Sequence, residues 1–181
     1  SDKTSGIYGA MNLGSKIANG NHILYLNAGD KLNNEKVLEN LNKYSLSKKC
    51  SYFFICKVIG KIKNWYIPNN EKKIIPGDSV PVHQSILFNK KFYKNVYYNT
   101  NYKIAADYEY KILLLRKYKV SFIPYLVADH KLGGISSNYN LKNYLVISKE
   151  LYLIDSSYQS LSILLKNQIN LFVKFIFFQT K

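Results

Sequence analysis

Three places along the chain carry side chains that could do chemistry. Asp30 closes the segment Asn27-Ala28-Gly29-Asp30, directly after the apolar run HILYL. A carboxylate at the carboxyl end of a strand can hold a hard divalent cation through oxygen. Such a cation can neutralise the phosphates of a departing nucleotide. The same four residues also suit an ordinary turn that caps the next helix. Asp107, within Lys103-Ile104-Ala105-Ala106-Asp107-Tyr108, stands at the start of a helical pattern. There it could accept a proton from an incoming hydroxyl, or simply complement the helix dipole. His83 and Gln84 open a strand-like run after Pro81, and both could contact a sugar or an acceptor. A structural hydrogen bond is the commoner use of such a histidine. His130, in VADHKLGG, is a further candidate for metal or phosphate, and His22 reads as structural.

These residues need elements to position them. SGIYGAMNLGSKIANG reads as a helix, with Ile7, Ala10, Met11, Gly14 and Ile17 at helical spacing and Gly20 as a left-handed C-terminal residue. HILYL reads as a short buried strand and NAGD as a loop. NNEKVLENLNKYS is a second amphipathic helix, with Val37, Leu38, Leu41 and Tyr44 on one face. SYFFICKVIG, KIKNWYI, VHQSILF and KVSFIPYLVAD read as strands, AADYEYKILLLRKY as a helix, and LGGISS as a glycine loop. Two helices follow, in NLKNYLVISKELYLI and SYQSLSILLKNQINLFVKFIFF. This alternation predicts an α/β sheet with helices on its faces. Ligands in such sheets bind at the carboxyl ends of strands, which puts NAGD on the functional rim.

The bulk properties narrow the field. A chain of 181 residues is one domain's worth, and 47% hydrophobic with 20% charged residues is near the globular average. The net charge of +15 rests almost wholly on lysine, with Arg116 the single arginine. Nucleic-acid surfaces exploit the bidentate fork of arginine. The crowding of Lys, Asn, Ile and Tyr therefore reads first as AT-rich codon usage, then as attraction to a membrane surface. Cys50 and Cys56 would stand about 20 Å apart in a strand, too far to bridge, and fit a reducing cytoplasm. The first residue is Ser, which reads as a start within a longer protein or as processing. No run of apolar residues is long enough to predict a membrane span.

Four blocks occur in order: SGIYGAMNLGSKIANGNHILYLNAGD, HQSILFNKKFY, YKIAADYEY and LGGISS. Together they resemble one group of family 2 glycosyltransferases, which read S-E-x-D-x-G-I-Y-D-A-M-N-x-G, then L-N-x-x-D, H-Q, A-x-D-Y and G-G-[IV]-S. The likeness runs from Ser1 to about Ser137. It implies a GT-A (Rossmann-like) mixed sheet flanked by helices, lacking the first βαβ nucleotide-binding strands. The implied partial catalytic domain is 1–154, followed by an amphipathic basic helix over 155–181. Asp30 resembles the last acid of the metal-binding motif, implying Mn or Mg, and Asn27 opens that loop. Asp107 resembles the catalytic base. His83 and Gln84 resemble residues lining the donor–acceptor side, and Gly133 and Gly134 a mobile closing loop. Thr4 and Gly9 stand where the family usually has aspartates, and Asp2 where it has glutamate.

The resemblance implies inverting, metal-assisted transfer of a sugar from a nucleotide-diphosphate donor, with a UDP-sugar first in line. The acceptor it implies is a saccharide or lipid-linked cell-surface polysaccharide at the cytoplasmic face. In the last helix Lys166, Asn170 and Lys174 form a polar stripe beside a broad apolar face. Such a helix suits peripheral contact with the inner face of the plasma membrane, or packing on the domain or another subunit. Two other readings stand beside this one: an inactive truncated remnant or interaction module, and a nucleic-acid-binding protein. The near-absence of arginine and of any recognised nucleic-acid motif argues against nucleic acid as a partner.

Overall fold

The computed structural model describes residues 6–60, 63–67, 81–133, 140–158 and 160–179. The central strand is β3 (Ser51–Ile59), which follows β1 (His22–Ile23) and β2 (Lys31–Leu32) in the chain. Next come β4 (Asn64–Ile67), β5 (Ile86–Asn89) and β6 (Val120–Lys131). The six strands form one mixed sheet in the order β1-β5-β3-β6-β2, with β4 paired to β3. β3 runs parallel to β6 and antiparallel to β5 and β4. A chain with helices between such strands is α/β, as the alternation predicts.

β3 shows why its sequence makes a central strand. Tyr52, Phe53, Phe54 and Cys56 are all buried, and alternate residues enter opposite layers. Phe53 packs with α1 (Gly6–Ile17) and α4 (Ala106–Lys117) through Tyr8, Met11, Tyr110 and Leu114. Tyr52, Phe54 and Cys56 pack with Val37 and Leu41 of α2 (Val37–Asn42) on the other face. Continuous burial on two faces is what an aromatic, β-branched run without alternation signals. The register between β3 and β6 slips between Phe53 and Ile55 and again before Cys56. Pro124 lies in that stretch of β6, and its lack of an N–H breaks the ladder there.

Several expected elements are shorter or differently faced. HILYL pairs only through His22 and Ile23. Residues 83–85 are a turn of 3-10 helix rather than the start of a strand, with Ser85 N and Oγ both donating to Val82 O at 3.0 Å. α1 turns Tyr8, Met11 and Ser15 inward while Ile7 and Ile17 are exposed. Hydrogen bonds explain the rotation: Tyr8 donates to Ile104 O and Ser15 bonds the hydroxyl of Tyr25. Gly20 is not left-handed, since the positive-φ glycines among the described residues are Gly6, Gly29 and Gly133. A Cβ at Gly20 would lie 3.0 Å from His22 O, so close approach of backbone explains this glycine instead. In α2, Leu38 is exposed while Val37 and Leu41 are buried.

The short α3 (Lys90–Tyr93) is capped by Asn89, whose side chain accepts from Phe92 N at 3.0 Å. The chain closes with α5 (Leu141–Tyr158) and α6 (Leu161–Gln179). The expected boundary at 154/155 falls inside α5. α6 packs on α5, with Ser148 Oγ to Gln168 Oε1 at 2.7 Å and Tyr144 stacked on Phe175 at 4.5 Å. No helix among the described residues is long and apolar enough to cross a membrane. Truncating the strand core tests this layering. Phe53→Ala should lower unfolding free energy by about 4 kcal/mol, read as a shift of the urea midpoint with unchanged slope.

Candidate active site

Asn27-Ala28-Gly29-Asp30 forms a tight turn, closed by Asp30 N donating to Asn27 O at 3.0 Å. Gly29 sits at its third position with φ of 91°, where a side chain is strained. The turn delivers Asp30 to the rung before β2. Lys31 pairs with Asp129 of β6, so Asp30 faces His130 across the ladder. His130 is therefore a strand residue, not a loop ligand. Its Nδ1 lies 2.8 Å from Asp30 Oδ1. Gln84 Nε2 donates to Asp30 Oδ2 at 2.7 Å, and Asn27 N donates to the same oxygen at 3.2 Å. A proton on His130 Nδ1 is required by the carboxylate it faces. The approach of Gln84 Nε2 to that same Nδ1 at 3.1 Å is then a contact and not a hydrogen bond.

The 3-10 turn carries the arrangement onward. Asn27 Nδ2 lies 3.1 Å from His83 Nε2. His83 Nδ1 lies 3.4 Å from Asp107 Oδ2, and Lys111 Nζ lies 3.4 Å from the same oxygen. One tautomer satisfies both sides of His83: Nε2 accepts from the Asn27 amide while Nδ1–H faces Asp107. The predicted residues Asn27, Asp30, His83, Gln84 and Asp107 are thus brought into one polar cluster, joined by His130 and Lys111. Gly133 lies shortly past His130, with φ of 143°; Gly134 lies outside the described residues.

Exposure separates the roles. The side chains of Asp30, His83 and Lys111 are 3%, 9% and 9% exposed, whereas that of Asp107 is 28% exposed and His130 23%. Asp107 is the acid that meets solvent, and Asp30 is an interior one. Burial pushes the Asp107 carboxyl up, but the Lys111 ammonium and the His83 hydrogen bond prevail and hold it well below the usual carboxylate range. Asp30 is likewise pushed up by burial and brought below its ordinary value by hydrogen bonds from His130 and Gln84. Both carboxylates are ionised at neutral pH.

That arrangement decides how Asp30 stands toward Mn or Mg. Both of its oxygens already accept protein donors, and its side chain is 3% exposed. As arranged, it does not fit the role of metal ligand, because a cation there must displace His130 or Gln84. Among the described residues no group of three His, Cys, Asp or Glu side chains is gathered as a metal site.

Three supports of Asp107 escape the sequence reading. Glu150 of α5 accepts from the backbone N–H groups of Lys103, Ile104 and Ala105 at 2.7, 3.0 and 2.8 Å. From the other side, Tyr8 donates to Ile104 O, and Asn12 pairs with the Tyr98 backbone at 2.9 and 2.8 Å. Burial, then the nearby Asp107, push the Tyr8 phenol up, so it acts as a donor and not a base. Lys111 was missed as well, although its i+4 spacing from Asp107 is a local signal; Glu150 has no local signal. His22 is structural as expected, its Nε2 2.9 Å from Cys50 O. Both cysteines are free. Compared with known proteins, the chain matches no family model, no curated protein and no solved structure.

Two measurements check this account. Glu150→Ala removes three charge-assisted bonds and should cost about 3 kcal/mol in urea unfolding. The lowered carboxylates stabilise the fold above their unfolded pKa near 4 and lose that contribution as pH falls through their folded values. Stability should therefore drop on acidification below about pH 4, and Asp30→Asn should flatten that drop while lowering stability at neutral pH. An unchanged acid limb in Asp30→Asn would show that the His130–Asp30 pair contributes nothing.

Proposed function

We propose that this chain carries out inverting glycosyl transfer on a GT-A type sheet of the family 2 kind. The donor is a nucleoside-diphosphate sugar, with UDP-sugars as first candidates. The acceptor is a saccharide or lipid-linked hydroxyl of a growing cell-surface polysaccharide, reached at the cytoplasmic face. One observation carries this reading. Residues from separate blocks of the resemblance gather into a single cluster that ends on Asp107, an ionised and partly exposed carboxylate.

The chemistry follows from that carboxylate. An acceptor hydroxyl at Asp107 gives its proton to the carboxylate as its oxygen bonds to the anomeric carbon. The bond from that carbon to the phosphate oxygen breaks, and the electron pair leaves with the nucleoside diphosphate. A carboxylate of low pKa is a weak base toward a resting alcohol. It takes the proton only as the forming C–O bond makes the hydroxyl acidic, which suits a single displacement. His83 and Lys111 fix the carboxylate's orientation and keep it unprotonated beforehand. The Mn or Mg of the resemblance would supply charge for the leaving diphosphate; no step here is assigned to it, given how Asp30 is engaged.

The test is release of UDP from a panel of UDP-hexoses and UDP-N-acetylhexosamines with saccharide acceptors present. Asp107→Asn should lower turnover at least about a hundredfold while UDP binding by calorimetry is retained. Undiminished turnover in Asp107→Asn removes it as the base. Absence of both UDP binding and UDP release in the unaltered chain overturns catalysis by this chain and leaves the inactive remnant.

A further inference from the structure

We propose that the α5–α6 hairpin seats this protein flat on an anionic lipid surface. The inference stands independently of the glycosyl-transfer reading. α6 is held along one edge and open along the rest. Leu171 packs with Ile104 and Ile147, and Leu164 is also buried. On the open side Leu161, Leu165, Ile169, Phe172 and Val173 are 71, 52, 61, 51 and 43% exposed. Their spacing of i, i+4, i+8, i+11 and i+12 confines them to a sector of about 120°. α5 adds Leu141, Leu145, Tyr152 and Leu153, at 59, 57, 53 and 42% exposed. Water-facing apolar stripes on two adjacent helices call for a covering partner.

Charge identifies which partner. The acidic side chains of the hairpin among the described residues, Glu150 and Asp155, are buried at 7% and 0% exposed. Lys142 and Lys149 are exposed and fall in the same sector of α5 as its open apolar side chains. The open surface therefore offers apolar groups and ammonium groups, and no exposed carboxylate among the described residues. A second copy of the same hairpin would set lysine against lysine, in a chain whose net charge is already +15. An anionic bilayer accepts both components: apolar side chains enter the headgroup–acyl boundary while lysine stems extend their charge to the phosphates. No described helix is long and apolar enough to cross a membrane, so the hairpin lies on the surface and does not span it.

The seat is tied to the candidate active site. Asn167 of α6 donates to Tyr108 Oη at 3.0 Å and to Asp155 Oδ2 at 2.9 Å. Tyr108 follows Asp107 in α4 and also donates to Asp155 Oδ1 at 2.9 Å. Binding of the hairpin to a surface thus fixes the orientation of the Asp107 helix relative to that surface.

Vesicle sedimentation of the full chain tests the proposal, with phosphatidylcholine alone against equal parts phosphatidylcholine and phosphatidylglycerol. Partitioning onto the anionic vesicles should be at least about tenfold stronger. Changing Lys142 and Lys149 each to Glu should weaken it about fivefold or more per site. Ile169→Ser with Phe172→Ser should weaken it further. All these residues are exposed, so far-ultraviolet circular dichroism should be unchanged. Equal partitioning onto both vesicle types, or onto neither, overturns the proposal. So does a stable dimer in sedimentation velocity that Ile169→Ser with Phe172→Ser converts to monomer, since a second copy would then cover the face.

Discussion

The carboxylate of Glu150 accepts three successive backbone N–H groups, and the placement of Asp107 follows from that grip. The segment before α4 has no side-chain cap of its own, because Ala105 stands at the cap position. Left alone, donors pointing in one direction would need water. Glu150 supplies both carboxylate oxygens from α5, while Tyr8 of α1 donates to the Ile104 carbonyl of the same segment and Asn12 of α1 holds the Tyr98 backbone upstream of it. Two helices distant in sequence thus clamp one loop from opposite sides. The direction in which Asp107 leaves that loop is set before any substrate arrives.

The polar cluster works because each buried group has a matching neighbour. Asp30 is interior and ionised, and the hydrogen bonds of His130, Gln84 and the Asn27 backbone offset the burial of its charge. The 3-10 turn at His83–Ser85 matters here. An extended strand would send His83 and Gln84 to opposite faces of the sheet. The turn lets both reach the cluster, Gln84 toward Asp30 and His83 toward Asp107. Asp30 is the post to which this turn is fixed. Asp107, with more than a quarter of its side chain open at 28%, is the carboxylate of the cluster that faces solvent.

The strand β3, the helix carrying Asp107 and the closing helices were legible because their patterns are local: a continuous aromatic run, or a long apolar period. Residue types of the site were legible for the same reason. Their partners were not. Asp30 and His130 become partners through the β2–β6 register, a pairing of positions 100 residues apart in the chain. The inward face of α1 was misread because Tyr8 and Ser15 are drawn in by hydrogen bonds that a hydrophobic count cannot register. Glu150 looks in sequence like any charge on a helix. Its importance comes from the backbone it faces, and backbone donors leave no residue-type signature.

The same limit governs α6. Apolar packing alone would let this helix rotate to bury its open stripe against α5, because hydrophobic contact is non-directional. Polar contacts prevent that rotation. Asn167 is held by Tyr108 and Asp155, and Gln168 by the side chain and backbone of Ser148. These neighbouring positions define the inner edge of the helix. Turning the stripe inward would strip Asp155, which is fully buried, of its Asn167 donor and leave Tyr108 alone to satisfy it, and a buried acceptor that loses a donor is costly. A helix pinned by amides with its leucines and phenylalanine outward has given up burial it could otherwise have had. The exposed Lys142 and Lys149 on the open side of α5 favour a covering of negative charge for that face.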